Sequence, residues 1–248
     1  IIVPANTLAA GGFDVDNSCR FNDGDSAYMH LTPGSGGNRR TFTISMWVKR
    51  SEIASNNYLW GVNDGTNPYV QIVFNGNHKL YINDYDGSED TQLITTQVFR
   101  DVSAWYHIVI AYDTTQSTAA NRIKLYVNGT RVTAFDTETY PAEDFDTTWN
   151  NGVKQKLGAF DTNYFDGYMA EVVMIEGSQL APTSFGEFDS DSGIWKPIDV
   201  SGLTFGTNGF YLDFKASGNL GNDANGGTDF TEVNLAAADQ ATDTCTNN

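Results

Sequence analysis

The stretch Trp105-Tyr106-His107-Ile108-Val109-Ile110-Ala111-Tyr112-Asp113 alternates with a period of two. Tyr106, Ile108, Ile110 and Tyr112 fall on one face of an extended chain, and Trp105, His107, Val109 and Ala111 fall on the other. A strand apolar on both faces belongs to the middle of a sandwich, buried by a partner sheet on one side and partly covered on the other. Immediately downstream, Arg122 to Val127 and Thr130 to Phe135 flank Asn128-Gly129, the pair a type I′ hairpin turn requires. Upstream, Thr41 to Arg50 sets Phe42, Ile44, Met46 and Val48 opposite Thr43, Ser45, Trp47 and Lys49, a second half-buried strand.

Shorter strands are expected at Ala27 to Leu31, Tyr58 to Val62, Tyr69 to Phe74, Lys79 to Ile82, Thr95 to Phe99, Lys154 to Leu157 and Gly167 to Ile175. Asn63-Asp64-Gly65, Asn75-Gly76, Asp86-Gly87 and Asp166-Gly167 separate them as turns. The pattern predicts an all-β, two-sheet antiparallel jelly-roll sandwich with a short C-terminal extension. Its expected divisions are an N-terminal arm (1–14), the sandwich (15–184) and an extension (185–248) that packs on the sandwich or on a neighbouring subunit. One short strand is expected in the extension, from Gly209 to Phe214, followed by a Gly/Asn/Asp-rich tail with too few apolar residues for a core of its own.

The 248 residues carry 31 acidic and 14 basic side chains, a net charge of −17 that repels a phosphate backbone and excludes nucleic acid as a partner. The acidity has two other readings, solubility and divalent-cation binding. No segment reaches membrane-spanning length. Ile1-Ile2-Val3-Pro4 lacks the cationic region of a signal peptide, and the absence of an initiator Met implies a processed chain or one whose natural start lies upstream. Cys19 and Cys245 form no metal-type grouping, and unpaired thiols are favoured over a bridge that would need the termini to meet.

Trp105 to Asp113, then Leu125-Tyr126-Val127-Asn128-Gly129, then Phe165-Asp166-Gly167-Tyr168-Met169-Ala170-Glu171-Val172 resemble, in this order, the motifs of the laminin-G-like branch of the concanavalin A-like lectin/glucanase superfamily. The resemblance covers roughly residues 15 to 180 and implies a concanavalin A-like fold. The run from Tyr164 through Trp195-Lys196-Pro197 and Phe205 to Phe214, with the ending Asp243 to Asn248, is similar to structural proteins of marine tailed phages. That similarity implies a place on the virion surface, as tail fibre, spike or capsid decoration, assembled in a host cytoplasm. The implied partners are other virion proteins, further copies of the chain and a host-surface glycan.

Enzymes of this superfamily use Glu-x-Asp-x-x-Glu on a strand. The matching run, Glu171 to Glu176, has Val173 at the central position, and its two carboxylates alternate to opposite faces of a regular strand, so no catalytic residue is assigned. His30, His78 and His107 are dispersed, and His107 reads as a hydrogen-bonded sandwich residue. Relatives bridge an N-terminal loop to the third motif with calcium. Asp23 and Asp25, around Gly24, supply hard oxygens for such an ion, but Ala170 replaces the bridging carboxylate and turn formation explains both aspartates. Asp84 with Asp86, and Asp144 with Asp146, read as solvated loop residues. Asn128-Gly129-Thr130 matches a glycosylation sequon, which the turn already accounts for.

Sugar binding needs aromatic platforms beside amide or carboxylate groups. Trp60, Asn63, Asp64, Tyr69, Tyr81, Asn83, Tyr85, Trp149 and Tyr164 are the pool. From it Trp60, Asn63, Asp64, Tyr85 and Trp149 are selected, the two tryptophans because polar, turn-rich sequence surrounds both. Each aromatic competes with an ordinary role in the core.

Overall fold

The computed structural model describes residues 12–53, 56–63 and 66–246, the side chain of Glu89 excepted. Its strands, in chain order, are β1 (Ser18–Phe21), β2 (Tyr28–Leu31), β3 (Thr41–Arg50), β4 (Asn57–Val62), β5 (Tyr69–Phe74), β6 (Lys79–Tyr85) and β7 (Glu89–Val98). They continue with β8 (Trp105–Asp113), β9 (Ile123–Val127), β10 (Thr130–Arg131), β11 (Phe135–Thr139), β12 (Gln155–Leu157), β13 (Ala159–Phe160), β14 (Asn163–Tyr164) and β15 (Gly167–Glu176). The last are β16 (Gly186–Phe188), β17 (Trp195–Pro197), β18 (Phe210–Leu212), β19 (Thr231–Val233) and β20 (Gln240–Ala241).

The front sheet runs β10-β9-β8-β3-β15-β1-β20, with β18 also on β15; the back sheet runs β11-β7-β6-β5-β4-β12-β2-β19. All their pairings are antiparallel, and the two sheets form the expected sandwich.

At the centre of the front sheet, Ile44↔Ile110, Met46↔Ile108 and Phe42↔Tyr112 pair on the inward face. They meet Trp60, Val62, Ile72, Phe74, Leu80, Ile82 and Leu93 of the back sheet in one dry cluster. Each such side chain contributes about 1.5–3 kcal/mol by leaving water. Arg50, fully buried, sits at the margin of this core: its Nε donates to Asn57 Oδ1 (3.0 Å), its Nη1 donates to the Phe99 carbonyl (2.6 Å), and its guanidinium lies over the Phe74 ring.

The outward face of the front sheet is covered by residues beyond 180. Val109, Val173 and Ile175 pack under Phe185, Val200, Phe205 and Tyr211. Trp47, Trp105 and Ala170 pack with Val15 and Trp195. This covering explains why β8 is apolar on both sides. The later residues also enter the sheets: β18 extends the edge of β15 beyond β1, β19 joins β2, and β20 joins β1. Cys19 points into the sandwich core and Cys245 lies on the opposite side of the front sheet, so the two thiols are unpaired.

Three local expectations change. The hairpin after β9 turns at Asn128 (φ 46°) and Gly129 (φ 75°) as the type I′ pair requires, but β10 lasts two residues before the chain crosses to the back sheet as β11. Asn128 Oδ1 accepts from the His107 N–H (2.7 Å), and Trp195 presses on Gly129. β6 continues three residues past Ile82, and β7 begins at Glu89 rather than Thr95. Asp84, read as a solvated loop residue, is thereby placed on the inward face of β6 and fully buried, whereas Asp144 and Asp146 are exposed and pair with Arg40.

Candidate functional site

The outward face of the back sheet collects aromatic and amide side chains. On β5, Val70, Ile72 and Phe74 point into the core while Tyr69 and Gln71 stay half-buried on the other side. On β6, Leu80 and Ile82 point in while Tyr81, Asn83 and Tyr85 point out. The register sets Tyr69 beside Tyr85, Gln71 beside Asn83, and Asn83 beside Gln92. Tyr28 and His30 of β2 and Lys156 of β12 continue the same face.

The β13–β14 hairpin lies across this face at Gly61. A Cβ there would come within 2.6 Å of the Ala159 carbonyl, so glycine is what lets the hairpin settle. The hairpin contributes Phe160 and Tyr164. Tyr85, Tyr69, Phe160 and Tyr58 then form a contiguous run of rings at centroid spacings of 5.2, 5.3 and 5.6 Å. A second group holds Tyr164, Tyr28 and His30, with Lys156 Nζ 4.9 Å over the Tyr28 ring. Gln92 Nε2 donates to Tyr81 Oη (3.2 Å) and Asn83 Nδ2 to the Thr91 carbonyl (3.2 Å), which holds the amides in place between the rings. Phe160 and Asn83 are themselves buried, so the half-buried tyrosines with Gln71 and Gln92 are what the face offers to the apolar face and hydroxyl rim of a sugar.

Of the residues selected from sequence, Tyr85 stands on this face, and Asn63 stands at its end, where its amide donates to the carbonyls of Thr66 (2.8 Å) and Pro68 (2.6 Å) and clasps the loop leading to Tyr69. Asp64 lies outside the described residues. Trp60 and Trp149 are corrected: both are fully buried and meet edge to face at 5.3 Å between the sheets, so neither offers a face to a ligand. A register shift between Tyr58 and Trp60 turns both Leu59 and Trp60 inward. The polar neighbours of Trp149 are themselves buried and bonded: Thr147 Oγ1 to the Arg39 carbonyl, the Thr148 N–H to Asp84 Oδ2, and Asn150 Nδ2 to the Asn38 carbonyl. Tyr28, Tyr58, Phe160 and Gln71 were missed. Strict alternation along β5 and β6 marks Gln71 as outward, but Phe160 reaches the face only through the hairpin.

His107 is fully buried, between the rings of Trp47 (4.7 Å) and Trp195 (5.9 Å). Because an indole N–H only donates, Trp195 Nε1 (2.9 Å) makes His107 Nδ1 the acceptor, and Nε2–H donates to Ser45 Oγ (2.8 Å). Burial pushes its pKa down to about 3, which keeps it neutral.

Glu171 and Glu176 do part to different sides, although β15 is bulged between Ala170 and Val173 with Glu171 at φ 48°. Glu171 is buried under the C-terminal cover and accepts from Tyr211 Oη at 2.6 Å. Burial pushes its carboxyl up to about 7, with Asp213 adding to the rise. Glu176 instead accepts from the backbone N–H groups of Thr207 (2.9 Å) and Asn208 (2.8 Å) and from Asn150 Nδ2 (3.1 Å), and its carboxyl lies below its usual range because these bonds outweigh its burial. Asp23 and Asp25 occupy an exposed 3-10 turn in which Asn22 Oδ1 accepts from the Gly24 N–H and Asn22 Nδ2 donates to Asp25 Oδ2 (2.6 Å). Among the described residues, no group of three or more His, Cys, Asp and Glu side chains is arranged to hold a metal ion.

None of the curated proteins matches the chain. Among solved structures it is similar to the native heptameric SAP-like pentraxin of Limulus polyphemus, at 11% identity over 68% of this chain and 80% of that one, with a TM-score of 0.49. Domain 4 of the extracellular arabinanase AbnA of Geobacillus stearothermophilus, solved with arabinotriose, aligns at 19% identity over 62% and 68%, TM-score 0.43. The CBM40 of the Ruminococcus gnavus IT-sialidase, solved with α2,3-sialyllactose, aligns at 15% over 63% and 83%, TM-score 0.40. These likenesses concern fold alone. Residues 23–179 match the Laminin_G_3 family, and the chain therefore belongs to the concanavalin A-like lectin/glucanases superfamily.

Proposed function

We propose that this chain is a non-enzymatic, lectin-like recognition module that binds an extended neutral glycan along the outward face of the back sheet. The run of Tyr85, Tyr69, Phe160 and Tyr58 carries the reading, because it lines up three half-buried tyrosines about a buried Phe160 at near-regular spacings beside the β13–β14 hairpin. The net charge of −17 favours neutral over polyanionic glycans. Its absence of a catalytic role is supported by the separation of Glu171 from Glu176 and by the hydrophobic Val173 between them. The resemblance of the run from Tyr164 to Phe214, read from the sequence, to structural proteins of marine tailed phages is what favours display on a virion surface, where the glycan would belong to the host.

The test is a glycan array followed by titration calorimetry on wild type and Tyr69→Ala. Binding of a neutral oligosaccharide that weakens at least tenfold in Tyr69→Ala, with the variant still folded at the assay temperature by near-UV circular dichroism, is the expected outcome. No binding by wild type, or binding that survives Tyr69→Ala and Tyr85→Ala together, removes this face from consideration.

A second reading, an architectural virion protein contacting its neighbours, is favoured by a separate observation. Phe188 and Ile194, at the tip of the β16–β17 hairpin, are 56% and 67% exposed although both are large and apolar. Asp189 braces that tip by accepting from the N–H groups of Asp191 and Ser192 and from Lys196 Nζ. Loss of incorporation into particles by Phe188→Asp with glycan binding intact would favour this second reading.

A further inference from the structure

Between the two sheets lies a group of polar atoms that the hydrophobic core does not absorb. Asp84 Oδ1, Thr91 Oγ1, Tyr112 Oη, Trp149 Nε1 and Trp60 Nε1 all belong to fully buried side chains and make no hydrogen bond of ordinary geometry, the Trp149 indole acting on the Tyr112 hydroxyl only as a weak donor. They converge. Asp84 and Thr91 are cross-strand partners on β6 and β7. The N–H of Thr148 donates to Asp84 Oδ2 (3.0 Å), which brings the adjoining Trp149 to Asp84, and Trp60 packs edge-on to Trp149. Tyr112 faces them from the front sheet, where the charge of Asp84 and the indole of Trp149 both act on its phenol.

Leaving a buried polar group unpaired forfeits its hydration with no bond in exchange. Five such groups would cost on the order of the whole stability of a domain. Two of the five are indole N–H groups, which only donate and so cannot satisfy each other. A bound cation would face those N–H dipoles, and a bound anion would face Asp84. The Tyr112 hydroxyl could both accept from the indole and donate to the carboxylate, but it makes neither bond at ordinary geometry, whereas water can do both and makes about three bonds at polar interior sites.

We propose that the polar site formed by Asp84, Tyr112 and Trp149 binds internal water, with at least one molecule accepting from the Trp149 N–H, donating to Asp84 Oδ1 and bonding Tyr112 Oη. This water would tie the front sheet to the back sheet through the core, independently of any ligand on the outer face.

Oxygen-17 magnetic relaxation dispersion counts long-lived internal waters in the intact chain. The expected result is a signal in wild type that falls in Tyr112→Phe, which keeps the ring stacked on Phe42 at 4.5 Å while removing the hydroxyl. Near-UV circular dichroism confirms that the variant is folded, and Trp149→Phe provides an independent second variant. A high-resolution crystal structure of the wild type decides the question even if both variants misfold: density within about 3 Å of Asp84 Oδ1 and Trp149 Nε1 supports the site. Direct bonding of Asp84 to Tyr112 or Trp149, with no density between them, overturns it. So does an unchanged relaxation signal in both folded variants.

Discussion

Replacing Glu171 by Gln should make the protein more stable, and increasingly so as the pH rises. Glu171 is 4% exposed, and its carboxyl is pushed from 4.5 to about 7 by burial, with Asp213 and Asp199 adding to the rise and Tyr211 and Lys215 opposing it. The folded state therefore holds the proton more tightly than the unfolded chain does. Stability from this group is fully present below about pH 4.5, is lost as the pH climbs to about 7, and changes little above that. The full excursion amounts to roughly 3 kcal/mol. Gln at this position cannot ionise, yet its carbonyl can still accept from the Tyr211 hydroxyl, so Glu171→Gln keeps the 2.6 Å contact and removes the penalty. Denaturant unfolding of both proteins, followed from about pH 5 to pH 8.5, measures the difference directly. Subtracting the two curves cancels the slopes of Asp84 and Asp90, whose carboxyls also sit at about 6, chiefly through burial. The advantage of Glu171→Gln should be small near pH 5 and reach about 3 kcal/mol above pH 8. A difference that stays flat across this range would refute the assignment of a buried, proton-retaining carboxyl at the bulge.

Two structural predictions accompany it. Gly129→Ala places a Cβ 2.3 Å from Trp195 Cε3 at a residue with φ 75°, so thermal unfolding should report a loss of roughly 2–4 kcal/mol from backbone strain and overpacking together. An unchanged melting temperature would mean that Trp195 does not seat on the hairpin turn. Trp60→Ala should cost about 3–5 kcal/mol by opening a cavity between the sheets, measured by denaturant unfolding. A variant that instead loses glycan binding at full stability would restore Trp60 as a contact residue.

Several of these residues show where local sequence stops being informative. Trp149 sits in Asp146-Thr147-Thr148-Trp149-Asn150, a polar run that reads as exposed loop, yet its hydroxyls and amides reach partners over a hundred residues away and are buried with it. Asp84 precedes a turn and reads as solvated, yet its parity on β6 sends it into the core. By contrast, Tyr85 and the residues that alternate with Leu80 and Ile82 were legible, because a period of two separates the faces of a strand before any partner arrives.

The sequence by itself determined that this is an antiparallel sandwich, where its central strands run, and that β8 must be covered on both sides, since alternation and turn chemistry act over a few residues. Only the tertiary structure decided what does the covering. The chain beyond residue 180 folds over the outer face of the front sheet while only the short β13–β14 hairpin lies on that of the back sheet, so the back-sheet tyrosines stay partly accessible while Trp47, Trp105 and His107 do not. Strand periodicity distinguishes two faces, but which face meets water depends on contacts between segments far apart in the chain.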